Sequence, residues 1–182
     1  MSIVILDAVE GDNDISARLK EKLQEADKEL KYIKLGDMNI LPCRSCGVCG
    51  FKSPGKCVIE DDAHEVLRAI ANRNTLIMIT PIRFGGYSST MKKAVDKFMN
   101  LALPCYMVKQ GHLLHPARYG NKLLVAVGIN ESNSREQAES FRKLAENNAL
   151  NIQASCRTVV FGSLEDTELV EQEINRLIRE VC

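Results

Sequence analysis

The chain has 182 residues, 45% hydrophobic and 26% charged, and its Lys and Arg together equal its Asp and Glu at 24 each. That length suits one well-packed domain and is short for two, so residues 1–182 are expected to share a single core. With no net charge and no basic run, neither nucleic acid nor an anionic membrane surface is an expected partner, which leaves small molecules and proteins.

Residues 3–6, Ile-Val-Ile-Leu, form a continuous apolar run, the pattern of a parallel strand buried on both faces. No basic segment precedes it and no stretch reaches transmembrane length, so the expected location is the cytoplasm. Seven cysteines in a reducing compartment argue for metal or redox chemistry rather than a disulfide framework. Ile15, Leu19, Leu23, Ala26 and Leu30 recur at helical spacing, and a second strand is expected over residues 32–35.

A cysteine-rich loop over residues 42–58 comes next. Within PCRSCGVCGFKSPGKC the thiols Cys43, Cys46, Cys49 and Cys57 follow the spacing C-x2-C-x2-C-x7-C. Three thiols two residues apart converge only where the backbone curls tightly, which Gly47 and Gly50 permit. Three readings are open: an iron-sulfur cluster held at two-residue spacing, a structural zinc site, or reduced thiols, free or as a redox pair. Of the remaining cysteines, Cys105 reads as a loop thiol, Cys156 as a buried strand residue and Cys182 as part of a frayed terminus.

The acidic pair Asp61-Asp62 precedes Ala63, Val66, Leu67 and Ile70 and is expected to cap their helix. A third strand over residues 75–79 leads into a loop over 80–89, then a helix carries Met91, Ala94, Val95, Phe98 and Met99. Residues 103–120 read as irregular, and His112, His115, Arg118 and Tyr119 there suit an interface or a substrate lid better than a metal. A fourth strand over 123–127, stopping at Gly128, a helix over 136–149, a fifth strand over 154–161 and a helix from Val170 to Val181 complete the chain. Alternation of this kind predicts a parallel sheet with helices on both faces. Ligands in such sheets bind beyond the carboxyl ends of the strands, where the loops 7–16, 80–89 and 128–132 are expected to meet, with the cysteine loop opening at the same edge.

The pieces PC-x-x-C-x-x-C…C-V-I-x-D-D and TP-I-x-F-G-x-x-S-x-x-x-K resemble the iron-sulfur flavoproteins within the flavodoxin-like NAD(P)H-dependent FMN reductases. The resemblance runs from Ile3 to about Asn130. It implies a flavodoxin-like α/β fold of three layers, with a five-stranded parallel sheet in the order 2-1-3-4-5. It also implies bound FMN, a 4Fe-4S cluster in the members that use one, NAD(P)H as a candidate donor, and homodimers or homotetramers. On that basis Cys43, Cys46, Cys49 and Cys57 are the metal ligands, and Pro81, Ile82, Arg83, Phe84, Gly85, Gly86 and Ser88 carry the flavin ring, with Gly128, Ile129 and Asn130 as its third edge. Arg83 stands where the family often has Tyr, so it is a candidate for stabilising reduced flavin or binding a dinucleotide phosphate. Ser88 or Ser89 is placed to cap the next helix.

The first loop departs from the family's G-S-P-R-x-x-G-N-T pattern. It reads Asp7-Ala-Val-Glu-Gly-Asp-Asn-Asp-Ile-Ser16, without the Arg and with four acids. Val9, Gly11, Asn13 and Ser16 remain the candidate phosphate ligands, and the competing reading is that Asp12 or Asp14 caps the helix. A carboxylate about 4 Å from a phosphate charge costs roughly 1 kcal/mol even in water, so weak FMN retention is expected. The function expected is a redox protein passing electrons between a donor and an acceptor through FMN and a cluster. The alternatives are a cluster-free flavin or quinone reductase and a non-enzymatic module with structural zinc.

Overall fold

The computed structural model describes residues 2–11, 13–26, 29–162 and 167–181; the readings of Asp12 and Cys182 fall outside them. The elements run β1 (Ile3–Asp7), α1 (Asp14–Ala26), β2 (Lys31–Lys34), α2 (Val48–Phe51), α3 (Ala63–Ala71), β3 (Thr75–Arg83), β4 (Gly86–Tyr87) and α4 (Ser89–Val95). They continue as β5 (Met107–Lys109), β6 (His112–Leu114), β7 (Leu123–Asn130), α5 (Arg135–Asn151), β8 (Ser155–Gly162) and α6 (Thr167–Val181). The parallel strands lie in the order β2-β1-β3-β7-β8, the 2-1-3-4-5 arrangement expected. A sixth strand, the short β4, folds back antiparallel on β3.

Why the sheet is central follows from its side chains. Successive residues of a strand point to opposite faces, and in β1 Val4 and Leu6 join one core while Ile3 and Ile5 join the other. The first core packs the sheet against α3, α4 and α5 through Val66, Ile70, Met91 and Phe141. The second packs it against α1 and α6 through Leu19, Leu23, Ile174 and Leu177. The result is three layers.

Two strands outrun their expected ends. β3 continues through Thr80 and Pro81, which pair with Gly128 and Ile129 of β7. Gly128 is therefore a strand residue and not a terminator: a Cβ there would lie 2.7 Å from Phe141 Cε1 and 2.8 Å from Ile82 Cδ1. The glycine lets α5 sit close on the sheet. Replacing it with Ala is expected to cost about 1–3 kcal/mol through overpacking, read from the denaturation midpoint at unchanged m-value.

Residues 103–120 are more ordered than the sequence implies. They hold the hairpin β5–β6, with Lys109 paired to His112 across Gln110 and Gly111, both at positive φ. Two left-handed residues in a two-residue loop match the strand twist; Gln-Gly is a weak signature for it, so the turn went unread. The helix after Ser88 is also shorter than expected: α4 ends at Val95 and a 3-10 turn spans Phe98–Leu101.

Candidate functional site

The neck of the cysteine loop is closed by the acidic pair that follows it. Asp62 Oδ2 accepts from the Asn39 amide at 2.7 Å, and Asp61 Oδ2 accepts from the Leu41 amide at 2.8 Å. Asp61 Oδ1 also accepts from the Ala63 amide at 3.1 Å, so Asp61 caps α3 while Asp62 makes no side-chain cap and staples the loop instead. Lys97 forms an ion pair with Asp61 Oδ2, both side chains being buried (1% and 0% exposed). Burial alone would raise the Asp61 carboxyl, but Lys97 and the two backbone amides hold it below the usual range.

Inside the neck, Gly47 stands at φ 71 immediately before α2, a left-handed conformation that favours glycine. It turns the chain so that Cys43, Cys46, Cys49 and Cys57 all line one cavity of about 240 Å³, whose far wall includes Lys97, Met99 and Asn100. Cys46 is exposed, Cys43 and Cys49 half-buried, Cys57 buried, and all are free thiols. Burial, then the neighbouring Cys57, Cys43 and Cys46, push the Cys49 thiol up. The Ser45 amide donates to Cys43 Sγ at 3.4 Å and the Ile59 amide to Cys57 Sγ at 3.5 Å. Among the described residues no three His, Cys, Asp or Glu side chains converge tightly enough to hold a single metal ion. The donor set, four reduced thiols around one cavity with backbone amides on two of the sulfurs, fits a thiolate-ligated cluster.

A second cavity of about 280 Å³ lies where the loops after β1, β3 and β7 meet. Ala8, Val9, Glu10, Pro81, Arg83, Ser88 and Glu131 are among its walls. The meeting of these three loops is as expected, and Glu10 does face the shared space. Arg83 Nη1 donates to Glu131 Oε2 at 2.7 Å, with both side chains about half exposed, and this pair holds the Arg83 guanidinium above its ordinary value.

The first loop is arranged differently from the expectation. Asp7, fully buried, accepts from the Val9 amide at 2.8 Å and from Tyr32 Oη at 2.5 Å, so the Val9 amide is engaged. Asn13, not Asp14, caps α1: its Oδ1 accepts from the Ile15 and Ser16 amides at 3.0 and 3.2 Å. The Gly11 carbonyl accepts from Lys34 Nζ at 3.2 Å. Ser16 Oγ, in the first turn of α1, is buried and has no hydrogen-bond partner. Ser16 is not among the walls of the three-loop cavity, where the Ser88, Ser89 and Thr90 hydroxyls and the Arg83 guanidinium are the groups that fit a phosphorylated ligand.

Several other candidates have structural work. The close approach Gly85 allows is to α5, where a Cβ would lie 2.7 Å from Ser140 Cβ; Gly86 has ordinary room. Ile82 and Ile129 are core residues. Asn130 is buried and ties down its own loop, its Nδ2 donating to Ser134 O and its Oδ1 accepting from Ser132 Oγ, both at 2.9 Å. Ser88 caps α4 through the Met91 amide, as expected. Phe84 sits at the β3–β4 hairpin tip, fully exposed at φ 51. His115 Nδ1 lies 2.9 Å from the Leu103 and Cys105 carbonyls. Cys156 is exposed rather than buried, because β8 is an edge strand. Lys97 and Lys34 went unread: each is one charge among many in the sequence, and only packing brings it to a site.

The model of one protein family, NADPH-dependent FMN reductase, matches residues 12–162. The chain is similar to an iron-sulfur flavoprotein of Methanocaldococcus jannaschii, 36% identical over 69 residues that cover 38% of this chain and 35% of that protein. Across the matched iron-sulfur flavoproteins the aligned stretch takes up 35% to 58% of the relative's length. In fold it is similar to a NAD(P)H:quinone oxidoreductase from Methanothermobacter marburgensis, with TM-score 0.74 and 15% identity over 100% of this chain and 99% of the other. It is likewise similar to an FMN-dependent NADH-azoreductase from Bacillus anthracis solved with FMN, with TM-score 0.66 and 15% identity over 99% and 96%. Since the family match takes in both the cysteine loop and the second and third loops of the three-loop cavity, the chain belongs to the NADPH-dependent FMN reductase family.

Proposed function

We propose that the protein is an FMN-dependent oxidoreductase that passes electrons between a reduced donor and an acceptor, with FMN at the three-loop cavity and a 4Fe-4S cluster on Cys43, Cys46, Cys49 and Cys57. The observation that carries this reading is the lining of one cavity by all four thiols, Cys57 included despite its longer sequence gap. When bound, the flavin would supply two-electron chemistry and the cluster one-electron transfer. The Ser45 and Ile59 amides orient two of the sulfurs. Asp61, Asp62 and Lys97 fix the loop's neck against the sheet. At the flavin cavity Pro81 and Val9 offer an apolar wall, Ser88 a hydroxyl already anchored to α4, and Arg83 a cation held by Glu131. Small-molecule donor and acceptor, NAD(P)H among the donors, a cytoplasmic location and assembly as a homodimer or homotetramer belong to the same reading. Among the described residues no helix is long and apolar enough to cross a membrane.

The test is the visible spectrum and metal content of protein purified without oxygen. Flavin bands over broad iron-sulfur absorption are expected; flavin bands alone would favour a cluster-free reductase, and zinc with neither chromophore a structural role. Glu10 lines the flavin cavity, so Glu10→Gln is expected to tighten FMN binding, most clearly at low ionic strength where screening is weakest. Titration of the apoprotein with FMN checks this, and an unchanged affinity would mean the carboxylate does not act on the phosphate.

A further inference from the structure

Reduction of a thiolate-ligated cluster adds an electron to a group already anionic, and the charges, hydrogen bonds and solvent around it set the potential at which this happens. Besides the four thiols, the ionisable walls of the cysteine cavity are Arg44, Asp96 and Lys97. Arg44 is exposed, so water and salt screen its charge. Asp96 is exposed as well and ion-paired with Lys92, one helical turn earlier. Lys97 differs from both. It is buried to 1% exposure, so its charge acts through protein, where a given separation counts for more than in water.

Two features hold that charge beside the sulfurs. Its counter-ion Asp61 is not among the cavity walls, so the lysine is the member of the pair on the cavity side. Asp61 also accepts from the Leu41 and Ala63 amides, which shares its negative charge with the neck and leaves Lys97 incompletely cancelled. The Lys97 backbone is tied at both ends: its amide donates to the Ala94 carbonyl at 3.1 Å, and its carbonyl accepts from the Asn100 amide at 3.1 Å and from Asn100 Nδ2 at 2.6 Å. A charge fixed in advance needs no reorganisation when an electron arrives.

We propose that Lys97, besides closing the neck, sets the reduction potential of the cluster, raising it by favouring the more negative, reduced form. This rests on the cluster placed on Cys43, Cys46, Cys49 and Cys57 above. The experiment measures iron first, then follows an anaerobic one-electron redox titration by electron paramagnetic resonance. It compares unmodified protein with Lys97→Arg, Arg44→Gln and the double variant Asp61→Asn with Lys97→Met, which removes the lysine's charge without leaving a buried carboxylate unpaired. The double variant is expected to take up the electron about tenfold less readily, 59 mV lower for a one-electron couple, and to keep that shift at high salt. Lys97→Arg should stay near the unmodified potential, and Arg44→Gln should shift less and lose its shift as salt screens it. A lysine that only closes the neck would give the opposite order, since the bulkier guanidinium disturbs the packing while the neutral pair leaves the potential in place. An unchanged potential in the double variant, or equal displacement in Lys97→Arg and the double variant, with iron present in all, would overturn this inference alone. Unmodified protein that takes up no iron on reconstitution would overturn the cluster reading and this inference with it.

Discussion

Replacing Cys46 with Ala is expected to strip the iron from anaerobically prepared protein while leaving the fold in place. Unmodified protein should carry about four iron and four sulfide per chain, as a cubane held by four thiolates requires, and the variant almost none. Cys46 is exposed in its loop and belongs to neither core, so the circular dichroism spectrum and the denaturation midpoint of the apoproteins should coincide. The contrasting variant is Cys156→Ala, at an exposed thiol of the edge strand, which should leave iron content untouched. Equal iron in Cys46→Ala and unmodified protein, or no iron in either after reconstitution, would remove the cluster from the function proposed above.

Truncating Lys97 is expected to give the largest loss of stability of any single substitution near the site. Lys97→Ala leaves the Asp61 carboxylate buried without its ion-pair partner, and breaking a buried pair in this way costs about 3–5 kcal/mol. Chemical denaturation of the apoprotein measures it. A double variant, Asp61→Asn with Lys97→Met, removes both charges and should recover much of that loss, which separates uncompensated charge from lost packing. The pH dependence has a definite sign. The folded Asp61 carboxyl lies below its ordinary value of 3.8, so its stabilisation is complete above about pH 4 and disappears as pH falls through the folded value. Unmodified protein should therefore lose stability on acidification below about pH 4 more steeply than the double variant.

The sequence by itself determined the parallel sheet and its layers, because continuous apolar runs such as residues 3–6 admit only a strand covered on both faces, and short crossovers between parallel strands have one hand; the strand order came from the family resemblance. The sequence also singled out the thiols, since two-residue spacing is a local property of the chain. Spacing could not say whether Cys57 returns to the other three; the Asp61–Lys97 pair and the Asp62 staple decide that, and both join residues more than twenty positions apart. Glycines misled for the same reason. Gly128 and Gly85 looked like turn or ligand positions, yet the atoms that require them glycine belong to Phe141, Ile82 and Ser140, neighbours that exist only once α5 lies on the sheet. The first loop was legible as acidic, but which side chain would cap α1 and which would be buried depended on geometry: Asn13 reaches the free amides, and Asp7 is drawn inward by Tyr32 and the Val9 amide. Local pattern fixes what a segment is, whereas the contacts that complete a site form between segments and follow only from the tertiary structure.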